Sequence, residues 1–488
     1  MDRKIAKNYF YSAAYRVLIV ILPLITTPYV SRVLKPEGIG VVSYTSSIAA
    51  AFTLVAALGF AAYGQREIAY HQDDIQSRSV VFFEIGFFRA VTTLVATVVY
   101  IVFCFVYKEY TLYLLPQCLS VISVMFDISW YFQGMENFRI TVIRNAVVRI
   151  ASIACIFLFV KKPTDLFLYI FIISASNLIS NLFYYLNLHQ HVVKVPLSEL
   201  RPLRHVRGTI EFFIPLIAVE IYSHLDRIML GYMMPTTVES GYYEQARKIT
   251  SLVVGLIVSI NSVMMPRIAN LYVKNEKSSI ISFYRKTFNI LLMIMLPACI
   301  GLILISDNFV LWFFGTEYVK VSTLIKLSAL LIVFMCIGNF AGIQYLSPTG
   351  QQNKMTAAYV VAAVTNIALN AYMIPRFASV GALVASIIAE LISCGIQMLL
   401  LLKSEYSFRL VKGSWKYLIA TAGMAFTIIL VHFLVKVRGP LGTGVDVVFG
   451  GLVYYALLLL VKEETAKDLF RRYSVHTAMK NGTWRSRK

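Results

Sequence analysis

The stretch EIYSHLDRIMLGYMM, Glu220 to Met234, sets Glu220, His224, Asp226 and Arg227 in a run that is otherwise hydrocarbon. An ionisable side chain near the middle of a bilayer costs at least about 2.5–3.5 kcal/mol, so such groups face protein or water and mark ion or substrate routes. Positions i, i+4 and i+7 return to one side of a helix, which lines up Glu220, His224 and Arg227 and turns Asp226 about 120° away from Glu220. Carboxylates beside an imidazole can take up a proton or a small cation, so Glu220, His224, Asp226 and Arg227 are candidates for ion coupling. They can equally balance one another's charge, and the spacing leaves both open. Glu390, near mid-depth of a later apolar run, belongs with them.

Arginines within other apolar runs raise a different chemistry. Arg16 lies close enough to a run's start to snorkel, whereas Arg89 lies roughly 15 Å in by helical rise, and Arg149 is a shallower case. Glu84 is five residues from Arg89 and poorly spaced to pair with it. Another run opens with Glu244, Arg247 and Lys248, which can pair at i,i+3 and i,i+4 and suit a solvated helix end as well as a binding site. His432, near the end of a late run, reads as structural. Cations thus gather in the N-terminal half and deep carboxylates in the C-terminal half, an arrangement suited to an anionic cargo moved with a cation.

The elements that must carry these residues are membrane helices. Of 488 residues 58% are hydrophobic and 14% charged, and the mean hydropathy is +0.70. A span needs about 20 apolar residues, and about fourteen such runs are separated by short polar breaks. Alternation in ten-residue blocks is absent, which argues against a β-barrel. The fold class is therefore all-α and polytopic. With the N-terminus in the cytoplasm, that side collects about 29 Lys and Arg against about nine opposite, so both termini are expected to be cytoplasmic. The net charge of +20 then reflects topology, and no nucleic-acid partner is expected.

The chain also aligns with itself. GVVSYTSSI from Gly40 matches GYYEQARKI from Gly241, an offset of 201 that brings Arg66 onto Arg267. GMENFR (Gly134 to Arg139) matches GQQNK (Gly350 to Lys354), and SNLIS from Ser176 matches AELIS from Ala389. Six spans repeating as six keep their orientation, giving parallel repeats about an axis along the membrane normal. The expected organisation is a six-helix bundle over 1–190, a cytoplasmic linker over 191–209 and a second bundle over 210–403. Two added helices over 404–462 and a basic cytoplasmic tail over 463–488 complete it. Pro23, Pro28, Pro215 and Pro297 lie within spans, where a freed carbonyl must face protein or water.

No phosphate-binding GxxxxGK[ST], HExxH or GxSxG occurs, so neither a primary pump nor a familiar hydrolase is indicated. All six cysteines fall in or beside apolar runs without a CxxC pair, which offers no disulfide framework and no metal site.

PLITTPYVSRVLKPEGIGVVSYTSSI (Pro23 to Ile48), DISWYFQGMENF (Asp127 to Phe138) and LDRIMLGYMMPTTVESGYYEQARKI (Leu225 to Ile249) resemble the signature regions of bacterial polysaccharide-repeat-unit flippases, the Wzx-type oligosaccharide flippases of the MOP superfamily. The resemblance implies a MATE-like pair of six-helix bundles plus two C-terminal helices, in a transporter rather than an enzyme. It implies an undecaprenyl-pyrophosphate-linked oligosaccharide as cargo, moved to the outer leaflet of the bacterial plasma membrane for capsule, exopolysaccharide or O-antigen assembly. A polysaccharide polymerase and glycosyl transferases are the implied partners, no cofactor is expected, and H+ or Na+ is the candidate coupling ion. Arg16, Arg89, Arg149 and Arg247 would then meet the pyrophosphate, with the sugars on aromatic and amide groups. The competing readings are a cation-coupled multidrug exporter of the same superfamily, a flippase for the peptidoglycan precursor lipid II, and, from another class, a membrane glycosyl transferase.

Overall fold

In the computed structural model the main chain is described for residues 3–408, 413–435 and 437–463. The side chains of 3–20, Arg16 among them, and of some positions in the fifth, seventh and eighth helices lie outside the described residues, as does the expected basic tail beyond Glu463. No strand occurs among the described residues. Among the described residues fourteen long helices follow one another, the second of them continued by the short helix Phe60–Tyr70. They are α1 (3–34), α2 (36–57), α3 (Ile75–Tyr107), α4 (Thr111–Gly134), α5 (Phe138–Phe159), α6 (Pro163–Leu186) and α7 (Val206–Met233). Then come α8 (Val238–Val273), α9 (Lys277–Phe313), α10 (Thr316–Leu346), α11 (352–377), α12 (379–402), α13 (Trp415–Val435) and α14 (Gly439–Leu460). The polytopic all-α expectation and its count of spans are both met.

Local chemistry sets the two sharpest breaks. Lys35 leaves helical space at φ 64, ψ 168, and Pro36 follows it. Proline bars the preceding residue from the helical region and is itself suited to a helix's first turn, so α1 ends and α2 begins there. Between α11 and α12 the break falls at Ala378, φ 50, ψ −130, three residues after Pro375.

α3 shows how polarity is distributed. Leu94, Val98, Val102 and Phe105 are more than half exposed, whereas Arg89, Thr93 and Thr97 are buried. The apolar face points outward and the polar face inward, the reverse of a soluble helix. That is the pattern hydrocarbon imposes on a spanning segment, because a polar group in lipid has no partner.

The chain divides into two compact units, Met1–Glu244 with Asn366–Ala382, and Gln245–Thr365 with Leu383–Lys488. This differs from the expected boundary at 210, because α7 packs with the first unit. A Cβ on Gly231 of α7 would come within 2.2 Å of the Tyr44 ring of α2. The expected linker is also fastened to that unit. Glu84 of α3 accepts from the Arg201 backbone N–H at 2.7 Å, Arg204 Nε at 2.8 Å and His205 Nε2 at 2.8 Å, while Tyr63 Oη meets His205 Nδ1 at 2.7 Å. Glu84 thus serves the linker and not Arg89.

The repeat seen in the sequence becomes a contact. A Cβ on Gly40 would lie 1.8 Å from the Thr237 carbonyl oxygen, and one on Gly241 would lie 2.0 Å from that of Pro36. Pro36 and Thr237, like Gly40 and Gly241, stand at the repeat's offset of 201, as do Ser43 and Glu244, which hydrogen-bond at 3.3 Å. The starts of α2 and α8 therefore cross about a local two-fold axis, and only glycine permits so close an approach.

Within the second unit, α13 and α14 pair with each other and dock on α9. Asn308 Nδ2 donates to the Gly439 carbonyl at 3.1 Å, Trp312 Nε1 to Thr443 Oγ1 at 2.9 Å, and Tyr454 Oη to the Met293 carbonyl at 2.7 Å.

Candidate functional site

Within the first unit, α2, α4, α6 and α7 line an open cavity of about 520 Å³. Small residues make the space: Ala49, Ala50 and Ala57 recur at helical spacing on α2, interleaved with Ser46 and Thr53. α4 adds Gln117, Ser120 and Ser123, α6 adds Ser174 and Asn177, and α7 adds Glu220. Gln117 is held by its Nε2 donating to Thr45 Oγ1 at 2.6 Å, and Asn177 Nδ2 reaches Ser120 Oγ at 3.4 Å. Among the described residues the lining is hydroxyl, amide and aliphatic, with a carboxylate.

From Glu220 a chain of ionisable groups runs along α7. Glu220 Oε2 is 3.4 Å from His224 Nε2, His224 Nδ1 is 3.5 Å from Arg227 Nη1, and Arg227 Nε is 2.7 Å from Glu244 Oε2. The stripe expected from the i, i+4, i+7 spacing is present, and Glu244, expected to serve Arg247 and Lys248, also reaches back to Arg227. Asp226 turns to another side and is buried. It accepts from Tyr243 Oη and, at 2.6 Å, from Asn370 Nδ2, which also donates to Asn366 Oδ1 at 3.0 Å.

Neither Arg89 nor Arg149 is brought to the cavity. Arg89 is 3% exposed, with Nη2 3.2 Å from Asp127 Oδ2 and the Phe60 ring 5.9 Å from its Cζ. Its Nε and Nη1 find no hydrogen-bond partner among the described residues. Arg149 is exposed on α5. Arg247 is half-buried on α8 and Glu390 is buried on α12, both in the second unit. His432 pairs with Asp446 at 2.7 Å, and Lys326 with Asp307 at 2.7 Å. The six cysteines are free, and no group of metal-ligating side chains occurs among the described residues.

A family model described as Polysaccharide biosynthesis protein matches residues 5–272, which include every residue lining the cavity. The chain belongs to that family. The chain is 22% identical over 400 residues to a candidate O-antigen transporter of Escherichia coli K12, covering 80% of this chain and 95% of the relative. It is 24% identical over 259 residues to Agl15, a candidate low-salt glycan biosynthesis flippase of Haloferax volcanii, covering 51% of this chain and 53% of the relative. Among solved structures, the lipid II flippase MurJ in an inward closed conformation superposes with a TM-score of 0.78 at 15% identity, over 95% of this chain and 100% of that one. An inward-facing MATE multidrug transporter of the MOP superfamily gives 0.62 at 14% identity, over 78% and 92%. The chain therefore has the MurJ/MATE fold that the resemblance implied.

Charge found the α7 stripe but not the rest. Asn366 and Asn370 beside Asp226, and the hydroxyls of the cavity, are neutral and vanish into apolar runs. Their signal is small polar residues at helical spacing, as in Ser46 with Thr53 or Ser120 with Ser123.

Proposed function

We propose that the chain is a flippase that carries undecaprenyl-pyrophosphate-linked oligosaccharide repeat units from the inner to the outer leaflet of the bacterial plasma membrane, with both termini cytoplasmic. It serves capsule, exopolysaccharide or O-antigen synthesis, alongside a polymerase and glycosyl transferases, and acts as a transporter and not as an enzyme. The observation that carries this reading is a polar cavity of about 520 Å³ among membrane helices, built from residues within the polysaccharide-family segment. A sugar crossing hydrocarbon must exchange hydrogen bonds with water for others, and each group left unpaired costs roughly 2–7 kcal/mol. Hydroxyl and amide side chains both donate and accept, so they replace that water without fixing one orientation. The relatives' O-antigen and glycan names point the same way, whereas the likeness to MurJ is one of fold and selects no cargo.

Arg16, Arg89, Arg149 and Arg247 are the proposed contacts of the pyrophosphate. Among them Arg149 is already exposed, and Arg89 retains two nitrogens with hydrogen bonds to give. Glu220, His224, Asp226, Arg227 and Glu390 are the proposed coupling and charge-balance set. Asp226 is its centre, because its carboxylate is buried and accepts from Asn370 Nδ2 at 2.6 Å and from Tyr243 Oη. Oxygen donors of this kind fit a proton or a hard monovalent cation such as Na+. Asp226→Asn keeps the shape and the acceptor but not the charge. It should leave transport insensitive to Na+ removal or to a protonophore where the parent protein responds, and an equal response in both would remove Asp226 from coupling.

Deletion of the gene tests the function itself. Lipid-linked oligosaccharide should then accumulate on the cytoplasmic leaflet, read by its inaccessibility to an added sugar-modifying enzyme in intact spheroplasts. Normal exposure on the outer leaflet would end the flippase reading.

A further inference from the structure

We infer that α4 and α10 each carry a hinge at equivalent points of the repeat, Asp127–Ile128 in one and Gly342–Leu346 in the other, and that a polar side chain of a neighbouring helix latches each. The inference holds for any cargo and so goes beyond the reading above. The matched motifs fix the equivalence. Gly134 pairs with Gly350, and Asp127 and Ile128 stand as far before the first as Ile343 and Gln344 stand before the second. Both spans lose regular helix there. In α4 the helix stops at Phe126 and resumes at Ser129, with Asp127 extended at φ −77, ψ 102. In α10 the turn Gly342–Leu346 is π-helical, closed by the Ser347 N–H donating to the Gly342 carbonyl at 2.9 Å.

Different local chemistry makes the two breaks. The Asp127 carboxylate accepts from the Ser129 N–H at 2.9 Å, a local bond that competes with the helix ladder. Pro348 lacks the N–H that the Gln344 carbonyl would accept in an α-helix, and its ring would crowd that carbonyl. Tyr284 Oη of α9 donates to it instead, at 2.9 Å. The latches are Arg89 Nη2 of α3 on Asp127 Oδ2 at 3.2 Å, and Gln344 Nε2 on Asn261 Oδ1 of α8 at 2.6 Å. Past its break the end of α4 is locked against the helix Phe60–Tyr70: Trp130, Tyr131 and Phe132 are fully buried, and a Cβ on Gly64 would lie 2.6 Å from Trp130 Cε3. Before the break α4 carries Gln117, Ser120 and Ser123 of the cavity. A tilt at Asp127 therefore moves the cavity wall and leaves the anchored end in place. In α10 the π turn holds one residue more than the α turn it replaces, and passing that residue along the helix rotates the stretch it crosses by about 100°. One hydrogen bond shifts a two-state balance about fivefold, so each latch biases its hinge without freezing it.

The test needs no cargo, so its failure leaves the flippase reading untouched. The full chain in lipid nanodiscs carries spin labels on genetically encoded keto residues, which spare the six native cysteines, and pulsed dipolar spectroscopy reads the distances. Labels at Tyr70 and Leu112 bracket the α4 hinge and labels at Leu330 and Gln352 that of α10, all at exposed positions. Tyr70 with Val106, at the far end of the continuous α3, and Val319 with Leu330, both before the π turn, are the controls. Each bracketing pair should give two distances and each control one. Asp127→Asn and Gln344→Leu should each shift the two populations of their own pair about fivefold, the equivalent of one lost hydrogen bond, and leave the other pair unchanged. Deletion of Ile343 should convert the π turn to α and leave one distance between Leu330 and Gln352. A single distance at both bracketing pairs, as narrow as in the controls, would overturn the hinges. Two distances at one bracketing pair alone would overturn their equivalence, and two at the controls as well would place the motion elsewhere and overturn both. The parent protein decides these outcomes even where a variant fails to fold.

Discussion

At the scale of the residue, the informative side chains are ionisable groups that found partners away from their own helix. Arg89 is the clearest. Its depth in α3 made it a candidate for an anionic cargo, and the structure sets it 3.2 Å from Asp127 with two nitrogens unpaired. Arg89 is buried but Asp127 is 26% exposed, so leaving the carboxylate without its partner costs less than the roughly 3–5 kcal/mol of a fully buried pair. Arg89→Leu should still lower the melting temperature, and Arg89→Leu with Asp127→Leu should recover most of the loss. If the spare nitrogens serve the pyrophosphate, polymer export stays low in the recovered double variant. Export returning together with stability would reduce Arg89 to the counter-ion of Asp127.

Helices meet the same constraints collectively. The crossing of α2 and α8 depends on Gly40 and Gly241, and adding even a methyl group at Gly40 would place carbon 1.8 Å from the Thr237 carbonyl oxygen. Overpacking of this kind costs typically about 1–3 kcal/mol when neighbours can shift, and here the neighbour is backbone. Gly40→Val should lower the melting temperature and abolish disulfide formation between cysteines introduced at Ser43 and Glu244. A cross-link forming as readily as in the Gly40 background would show that the crossing tolerates the side chain.

The linker before α7 carries a second consequence at this scale. Burial holds the His205 imidazole below its ordinary value, although Glu84 pulls it upward and Arg204 adds to the lowering. The unfolded chain then binds the proton first as pH falls below about 6.5, so folded stability contributed here is complete above that pH and declines beneath it. The melting temperature of the purified protein should fall more steeply between about pH 7.5 and 5.5 than that of His205→Gln. Parallel slopes would mean that His205 does not carry the dependence.

For the molecule as a whole, the added pair α13–α14 is part of the second unit's packing. It supplies the Gly439 carbonyl and Thr443 to Asn308 and Trp312 of α9. In lipid those donors would have no substitute. A chain ending at residue 408 should therefore elute as aggregate in detergent, whereas a monodisperse peak with an unchanged melting temperature would make the pair dispensable for folding.

Much of this was legible in the sequence because hydrocarbon is a simple solvent. Apolar runs of spanning length gave the fourteen helices, and the offset of 201 revealed the repeat. Helical spacing alone brought Glu220, His224 and Arg227 into line. What the sequence could not give is which neutral side chains of different helices share a space. Ser46, Ser120, Ser174 and Asn177 are separated in the chain by whole spans and carry no charge to betray them, and only packing gathers them around one cavity. Nor could the sequence say which carboxylate each arginine meets, because Asp127, 38 residues from Arg89, competes on equal terms until the helices are docked. Burial of single segments is a one-dimensional property written in composition, whereas a cavity and an ion pair are coincidences of surfaces, decided only when the helices close on one another.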